Sequence, residues 1–256
     1  MEVSKKNITL VHEIGARQYQ EDRYGAFSEK LEDGTKLFIF AVMDGHRDDK
    51  VSQFVFEYLS ENLDPVEEVD CEVYISNLFA SINEQTKGFS SGTTCSVAFL
   101  YEKTGAVFTA VLGDSPVFIG NEKGLTFLSQ EHNVASNENE KAAVIERGGI
   151  CERGYIVIVK DDRFLAIQTT RVFGDSDFEQ FVSRVPTIEK HYVAKGDVLI
   201  ICSDGFVECQ FMTLQETAGR IVGEIPYMTN IQELNDLRAE EFGPYTDNAT
   251  ALIIRL

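Results

Sequence analysis

Four carboxylates stand where a chain would place them to hold a cation. Apolar, β-favouring runs end three times at an aspartate beside glycine: Phe38–Met43 runs into Asp44-Gly45, Phe108–Leu112 into Gly113-Asp114, and Val198–Cys202 into Ser203-Asp204-Gly205. The fourth, Asp247, opens the terminal apolar segment Ala249–Ile254. Strands that end in acids carry negative charge to the edge of a core. There, repulsion and desolvation raise carboxyl pKa values unless a cation compensates. Oxygen donors without a His or Cys cluster suit hard Mg²⁺ or Mn²⁺ and not zinc. One Asp-Gly pair alone carries little weight, because it is also a hairpin-turn signal. Asp33-Gly34, between Phe27–Leu31 and Lys36–Met43, reads as such a turn, whereas helices rather than return strands follow Asp44 and Asp204.

The elements that must position these acids follow from hydrophobic period. Val51, Phe54, Val55, Tyr58 and Leu59 fall at helical spacing, with Asp48 and Asp49 near the positive N-terminal end, and Cys71, Tyr74, Ile75, Leu78, Phe79 and Ile82 repeat the pattern. An all-β stretch follows over Thr93–Tyr101, Ala106–Leu112, Val117–Ile119 and Leu125–Leu128, with turn-length connections that demand antiparallel neighbours. A helix over about Glu138–Arg147 stops at Gly148-Gly149. Strands are expected at Ile8–Val11, Tyr155–Val159, Phe164–Gln168, Val198–Cys202 and Ala249–Arg255. Helices are expected after the capping-box pattern Thr213-Leu214-Gln215-Glu216 and near Asn230–Glu241. Strands and helices in blocks argue for an α+β fold with antiparallel sheets covered by helices.

The chain has 256 residues, 43% of them hydrophobic, enough for a sizeable core, and no linker divides it. Its net charge of −19 opposes a phosphate backbone, so no nucleic-acid partner is expected, and strongly acidic peptides should be repelled at low salt. The apolar runs are too short to span a bilayer and no secretory leader is readable, which sets the expectation of a cytoplasmic or otherwise intracellular protein without membrane attachment. Five cysteines without CxxC spacing fit a reducing compartment; Cys95 and Cys202 read as core filling. His12, His132 and His191 read as structural or surface residues.

Taken in order, Arg17-Gln18-Tyr19-Gln20-Glu21-Asp22, Val42-Met43-Asp44-Gly45-His46, Ser91-Gly92-Thr93-Thr94, Val111-Leu112-Gly113-Asp114-Ser115, Thr170-Arg171-Val172-Phe173-Gly174-Asp175, Cys202-Ser203-Asp204-Gly205 and Asp247-Asn248-Ala249-Thr250 resemble the motifs of the metal-dependent type 2C protein serine/threonine phosphatases. The resemblance covers almost the whole chain. It implies a four-layer α/β/β/α sandwich, residues 1–256 as a single catalytic domain, and a centre of two Mg²⁺ or Mn²⁺ ions at one end of the paired sheets. By that resemblance Asp44 bridges both ions, Glu21 and the Gly45 carbonyl hold one, Asp204 and Asp247 hold the other, and Asp22 supports bound waters. Hydroxide bridging the two ions then attacks phosphoserine or phosphothreonine of a protein substrate directly, without a phosphoenzyme. Arg17 offers a bidentate grip on phosphate that lysine cannot copy, and His46 protonates the departing alkoxide. Asp114, with Asp204, matches a weaker third-ion position, and Glu208 stands where an aspartate is common there. The chain itself is expected to be a monomer.

Departures from the family pattern are specific. Arg47-Asp48 replaces a run of glycines after Asp44-Gly45-His46, and Pro116 takes an arginine slot. The segment at about 133–170 resembles the family's compact, substrate-proximal flap, where substrate identity is expected to reside. A second reading is a catalytically silent scaffold of the same fold that binds a kinase or regulator, favoured only by Arg47, Asp48 and Pro116. A third, a metal-dependent nuclease or small-molecule phosphoesterase, is opposed for polynucleotides by the charge. Thr93 and Thr94 read as packing and local hydrogen bonding, with no catalytic part.

Overall fold

The computed structural model describes residues 7–209, 211–225, 228 and 230–256. The first half of the chain holds β1 (Ile8–Glu13), β2 (Arg23–Lys30), β3 (Lys36–Met43), β4 (Gly45–His46), α1 (Lys50–Asn62), α2 (Cys71–Thr86), β5 (Gly92–Thr93), β6 (Cys95–Tyr101), β7 (Ala106–Leu112), β8 (Val117–Asn121) and β9 (Gly124–Leu128). There follow α3 (Glu138–Glu146), β10 (Ile150–Glu152), β11 (Tyr155–Lys160), β12 (Arg163–Ile167), β13 (Phe173–Gly174), β14 (Thr187–Tyr192) and β15 (Val198–Cys202). The C-terminal part holds α4 (Asp204–Val207), α5 (Leu214–Glu224), α6 (Ile231–Leu237), which continues into a π-helical turn at Arg238–Phe242, and β16 (Ala249–Arg255).

Two five-stranded antiparallel sheets, ordered β1-β16-β15-β8-β9 and β14-β7-β6-β3-β2, form the centre. Strand periodicity explains the layering. In β3, Leu37, Ile39, Ala41 and Met43 point toward α1 and α2, while Phe38, Phe40 and Val42 point between the sheets. In β15, Val198, Ile200 and Cys202 face α5, and Leu199 and Ile201 face the other sheet. Strands covered on both faces read as unbroken apolar runs, which is why β3 and β15 were so visible in the sequence. The result is the expected α+β sandwich of layers α/β/β/α.

The helices are held by the faces that their spacing foretold. In α1, Val51, Val55 and Leu59 are fully buried, each worth about 1.5–3 kcal/mol on removal from water. Asp49 takes the N-cap position but does not cap with its side chain; its carboxylate instead accepts from Arg23 at 2.6 Å. The capping box at Thr213 and Glu216 forms as the sequence pattern requires. The Asp33 turn also forms, its carboxylate accepting from the Thr35 amide at 2.9 Å. Cys95 and Cys202 are buried core residues.

Three pieces exceed the sequence reading. β14 forms an edge strand on β7, and β10 adds a third strand to the β11–β12 hairpin, so the segment at 138–167 is a helix over a three-stranded sheet with a small core of Val144, Ile156, Ile167 and Phe178. A second small sheet, β13-β5-β4, is made of two-residue strands and sits between the Asp44 and Asp175 segments. Among the described residues no helix is long and apolar enough to cross a membrane.

Candidate active site

Strand ends at one edge of the sandwich deliver the acids to a single cavity of about 340 Å³. It is lined by Arg17, Glu21, Asp44, Gly45, His46, Arg47, Asp114, Asp204 and Asp247, with Thr169 and Tyr155 from the neighbouring segment. Residues more than two hundred positions apart in the chain therefore share one wall. The backbones of the acids are fixed by neutral groups. The Asp44 amide donates to Thr94 Oγ1 at 3.0 Å, and its carbonyl accepts from the Thr94 amide and Thr93 Oγ1, both at 2.9 Å. The Glu21 amide donates to Asn248 Oδ1 at 2.8 Å, while Asn248 Nδ2 donates to the carbonyls of Ile14 and Tyr19. Asn248 thus pins the Arg17–Glu21 loop to the start of β16. Gly45 is required by close approach: a Cβ there would strike the Glu21 carbonyl and Ser52 Oγ.

The electrostatics run one way. Burial, then the charges of Asp22, Asp204 and Asp114, push the Asp44 carboxyl well above its usual range. Asp204, although exposed to solvent, is raised by desolvation among the crowded acids and by Asp247, and Glu21 by burial, against the opposing pull of Arg17 and His46. Asp114 is pushed up to about 7 by burial and by Asp204, although Asn133 Nδ2 donates to its Oδ2 at 2.6 Å. Crowded together, these acids raise one another, so the pocket gathers more negative charge than it holds comfortably without compensation.

Asp22 and Glu208 stand outside the cavity lining. Asp22 is fully buried and raised to about 6 by burial, against hydrogen bonds from Thr250 Oγ1 at 2.8 Å and Ser203 Oγ at 2.9 Å on Oδ2. Its Oδ1 is buried with no hydrogen bond. Glu208 is exposed and accepts from Thr246 Oγ1 at 3.0 Å. Among the described residues no three His, Cys, Asp or Glu side chains close into a ready chelate. The donor set still fits hard cations: oxygen ligands only, an orphan buried carboxylate oxygen, and acids that raise one another's pKa.

Arg17 reaches the acids from the rim, its Nη2 paired with Asp247 Oδ2, and its side chain is 52% exposed. His46 is held from the other side: its Nε2 lies 2.6 Å from Asp175 Oδ2, a carboxylate with no solvent exposure. Burial works to lower the imidazole pKa, but the charge and hydrogen bond of Asp175 outweigh it, and the net direction is upward. Asp175 was quoted in the sequence as part of a motif but given no role, as was Asn248. Arg47, the residue in place of glycine, takes a left-handed φ of 73° and donates to the Ser90 carbonyl at 2.6 Å. Its guanidinium also stacks on Phe178 at 5.3 Å. His132 is structural: it accepts from the Gly113 amide at Nδ1 and meets Thr187 Oγ1 through Nε2 at 2.9 Å.

Residues 14–224 match the family model described as Protein phosphatase 2C. A probable protein phosphatase 2C of Oryza sativa is 24% identical over 223 residues, covering 80% of this chain and 55% of the relative. A protein phosphatase 2C homologue of Aspergillus fumigatus is 29% identical over 201 residues, covering 72% of this chain and 45% of the relative, so the chain spans about half the length of these curated relatives. In fold it is similar to a serine/threonine phosphatase from Staphylococcus aureus, with a TM-score of 0.70 at 20% identity over 100% of this chain and 97% of the other. The similarity to serine-threonine phosphatase 2C from Toxoplasma gondii has a TM-score of 0.69 at 19% identity, over 96% and 93%. With a family model spanning most of its length, the chain belongs to the protein phosphatase 2C family.

Proposed function

We propose that the chain is a metal-dependent protein serine/threonine phosphatase that hydrolyses phosphoserine and phosphothreonine in protein substrates. The observation that carries this reading is the convergence of Glu21, Asp44, Asp204 and Asp247 on one cavity that also holds Arg17 and His46. Glu21 and the Gly45 carbonyl would hold one Mg²⁺ or Mn²⁺, Asp204 and Asp247 a second, Asp44 both, and Asp114 would serve a weaker third. When bound, such ions supply an acidified water and neutralise charge on the phosphate oxygens.

The chain's own residues do the rest. Asp22, buried behind the acids, fixes Ser203 and Thr250 and keeps negative charge behind the cation positions. Arg17 pairs with Asp247, and an Asp247 committed to a cation would leave the guanidinium fork to a phosphate at the rim. His46 would hold a proton for the threonine or serine oxygen, an alkoxide being a poor leaving group. Each role rests on the residue's position in the cavity and on its match to the family motif.

The test is hydrolysis of a phosphothreonine peptide with Mn²⁺, with and without chelator, for wild type and Asp204→Asn. Turnover that requires Mn²⁺ and is lost in Asp204→Asn supports the reading. Turnover that survives chelation, or none at all with Mn²⁺, sinks it.

A further inference from the structure

The His46 ring is not free in its pocket. Its Nε2 lies 2.6 Å from Asp175 Oδ2, while Nδ1 has no hydrogen-bond partner among the described residues, and His46 lines the cavity. Asp175 comes from a segment 129 positions away and has no solvent exposure. It is also held at a backbone cost: φ is 48° and ψ is 52°, a left-handed conformation that non-glycine residues seldom adopt. The preceding Gly174 has φ 75°, and the Asp175 amide is tied to the Ser91 carbonyl at 2.9 Å.

Three further features serve the same placement. Gly92 lies between the two side chains, and a Cβ there would strike both the Asp175 carboxylate and His46 Nε2. Arg47 Nη1 stands 3.3 Å from the other carboxylate oxygen, Oδ1, without hydrogen-bond geometry, so that oxygen is neutralised by charge alone. The guanidinium is itself anchored on the Ser90 carbonyl and the Phe178 ring. A buried carboxylate that is strained, roofed by an arginine and given clearance by a glycine is over-determined for a merely local turn.

On the reading of the site given above, we propose that Asp175 is a positioning residue for His46. It fixes Nε2 and thereby presents Nδ1–H to the ester oxygen of the substrate, with Arg47 locking the carboxylate from its far side. In the step it serves, the oxygen of water forms a bond to phosphorus as the bond from phosphorus to the ester oxygen breaks. The departing electron pair stays on the ester oxygen, which takes the proton from His46 Nδ1. The proton released by the attacking water passes to solvent, and solvent returns one to Nδ1.

The test compares kcat for a phosphothreonine peptide with kcat for p-nitrophenyl phosphate, at saturating Mn²⁺, in wild type, Asp175→Asn and Asp177→Asn. A nitrophenolate departs without help, whereas threonine needs the proton. Asp175→Asn should shift the ratio of peptide to aryl turnover at least about tenfold against the peptide, part of the 10²–10⁴ that a placed acid supplies, with peptide KM within about threefold. Asp177→Asn removes an equal charge next to Arg47 and Lys160 but away from His46, and should leave the ratio in place. An unchanged ratio in Asp175→Asn, or an equal loss on both substrates, overturns the proposal. A wild type inert toward the aryl phosphate sinks the site reading and this inference with it, an outcome that the wild-type rate alone reveals. Should Asp175→Asn fail to fold, ¹⁵N-histidine NMR of wild type decides the point. A hydrogen-bonded Nε2 proton, assigned by its loss in His46→Gln, upholds the pair; an Nε2 without a bonded proton refutes it.

Discussion

Replacing Arg171 with methionine should cost about 3 kcal/mol of stability, through the charge it leaves behind and not through lost packing. Arg171 Nη2 donates to Glu140 Oε1 at 2.6 Å, Nε reaches both carboxylate oxygens at 3.1 and 3.2 Å, and Nη1 donates to the Val185 carbonyl at 3.0 Å. Glu140 also accepts from Thr170 Oγ1 at 2.6 Å and is 8% exposed. Burial alone would raise the Glu140 pKa; the bonds and charges of Arg171 and Thr170 reverse it and hold the group below its ordinary value. Removing one partner of a buried pair typically costs about 3–5 kcal/mol. Here the loss has a ceiling, because the abandoned carboxylate can take a proton. From an ordinary value of 4.5, full protonation at pH 7 costs about 3.4 kcal/mol at 1.36 kcal/mol per unit.

The same reasoning fixes the double variant. Arg171→Met with Glu140→Leu removes the stranded charge and leaves mainly the Thr170 hydroxyl without its acceptor, a loss of about 1–2 kcal/mol. The Thr170 loss also occurs in Glu140→Leu alone and cancels, so the coupling between the two substitutions should be at least about 3 kcal/mol. Urea denaturation of wild type, both single variants and the double at pH 7 measures it, and the wild-type pair should resist added salt because both side chains are largely buried. A loss below about 1 kcal/mol in Arg171→Met, or additive single losses, would show that Glu140 is solvated and the reasoning wrong. The pair matters to the cavity because Glu140 sits in α3 and Arg171 follows Thr169, which lines it.

Three further outcomes are expected. His132, fully buried and held down to about 4 by burial and by the Arg171 charge, has a folded pKa below its unfolded one. Its contribution is thus present above pH 6.5 and lost as pH falls toward 4, amounting to about 2 kcal/mol between pH 7 and pH 5. Raised acids such as Asp22 act with the opposite sign, so the difference in urea stability between wild type and His132→Gln is the quantity to measure, and a pH-independent difference would contradict the burial argument. Mn²⁺ at a hundredfold excess over its Kd should stabilise the fold by about 2.7 kcal/mol, seen as a rise in denaturation midpoint that Asp204→Asn abolishes; an equal rise in the variant would place the ion elsewhere. Gly92→Ala, whose Cβ would meet His46 Nε2 and Asp175, should cost about 1–3 kcal/mol by overpacking and lower phosphothreonine turnover, and a variant as stable and active as wild type would mean that the two side chains are not fixed there.

The sandwich was legible because its central strands are covered on both faces. β3 and β15 are near-continuous apolar runs, β6, β7 and β16 are almost as buried, and α1 and α2 show their buried stripe directly. β14 escaped notice for the converse reason: Thr187–Tyr192 is an edge strand with half-exposed residues, and only Ile188 packs on a core. β4, β5 and β13 are two residues long and cannot display any period. Asp44, Asp114, Asp204 and Asp247 were visible because each ends a readable strand or precedes one, whereas Glu21 was legible only through the family motif it belongs to. Asp175 and Asn248 were present in recognisable motifs, yet their partners lie 129 and 227 positions away, and pairing at that range belongs to the fold and not to local pattern.

The division of labour among hydrogen bonds explains why such a pocket survives without unfolding. Thr93, Thr94, Ser52 and Asn248 bond the backbones of Asp44 and Glu21, so the positions of these acids do not depend on the charge state of their carboxyls. The Asp44 carboxyl, by contrast, is pushed up by burial and by the charges of Asp22, Asp204 and Asp114. A scaffold built this way is indifferent to whether protons or cations balance the pocket, while the pocket itself is not. Asp175 is the exception that supports the argument. Its carboxylate is set against two basic side chains, His46 at 2.6 Å and Arg47 at 3.3 Å, whereas the buried Asp22 and Asp114 rest on neutral hydroxyl and amide donors.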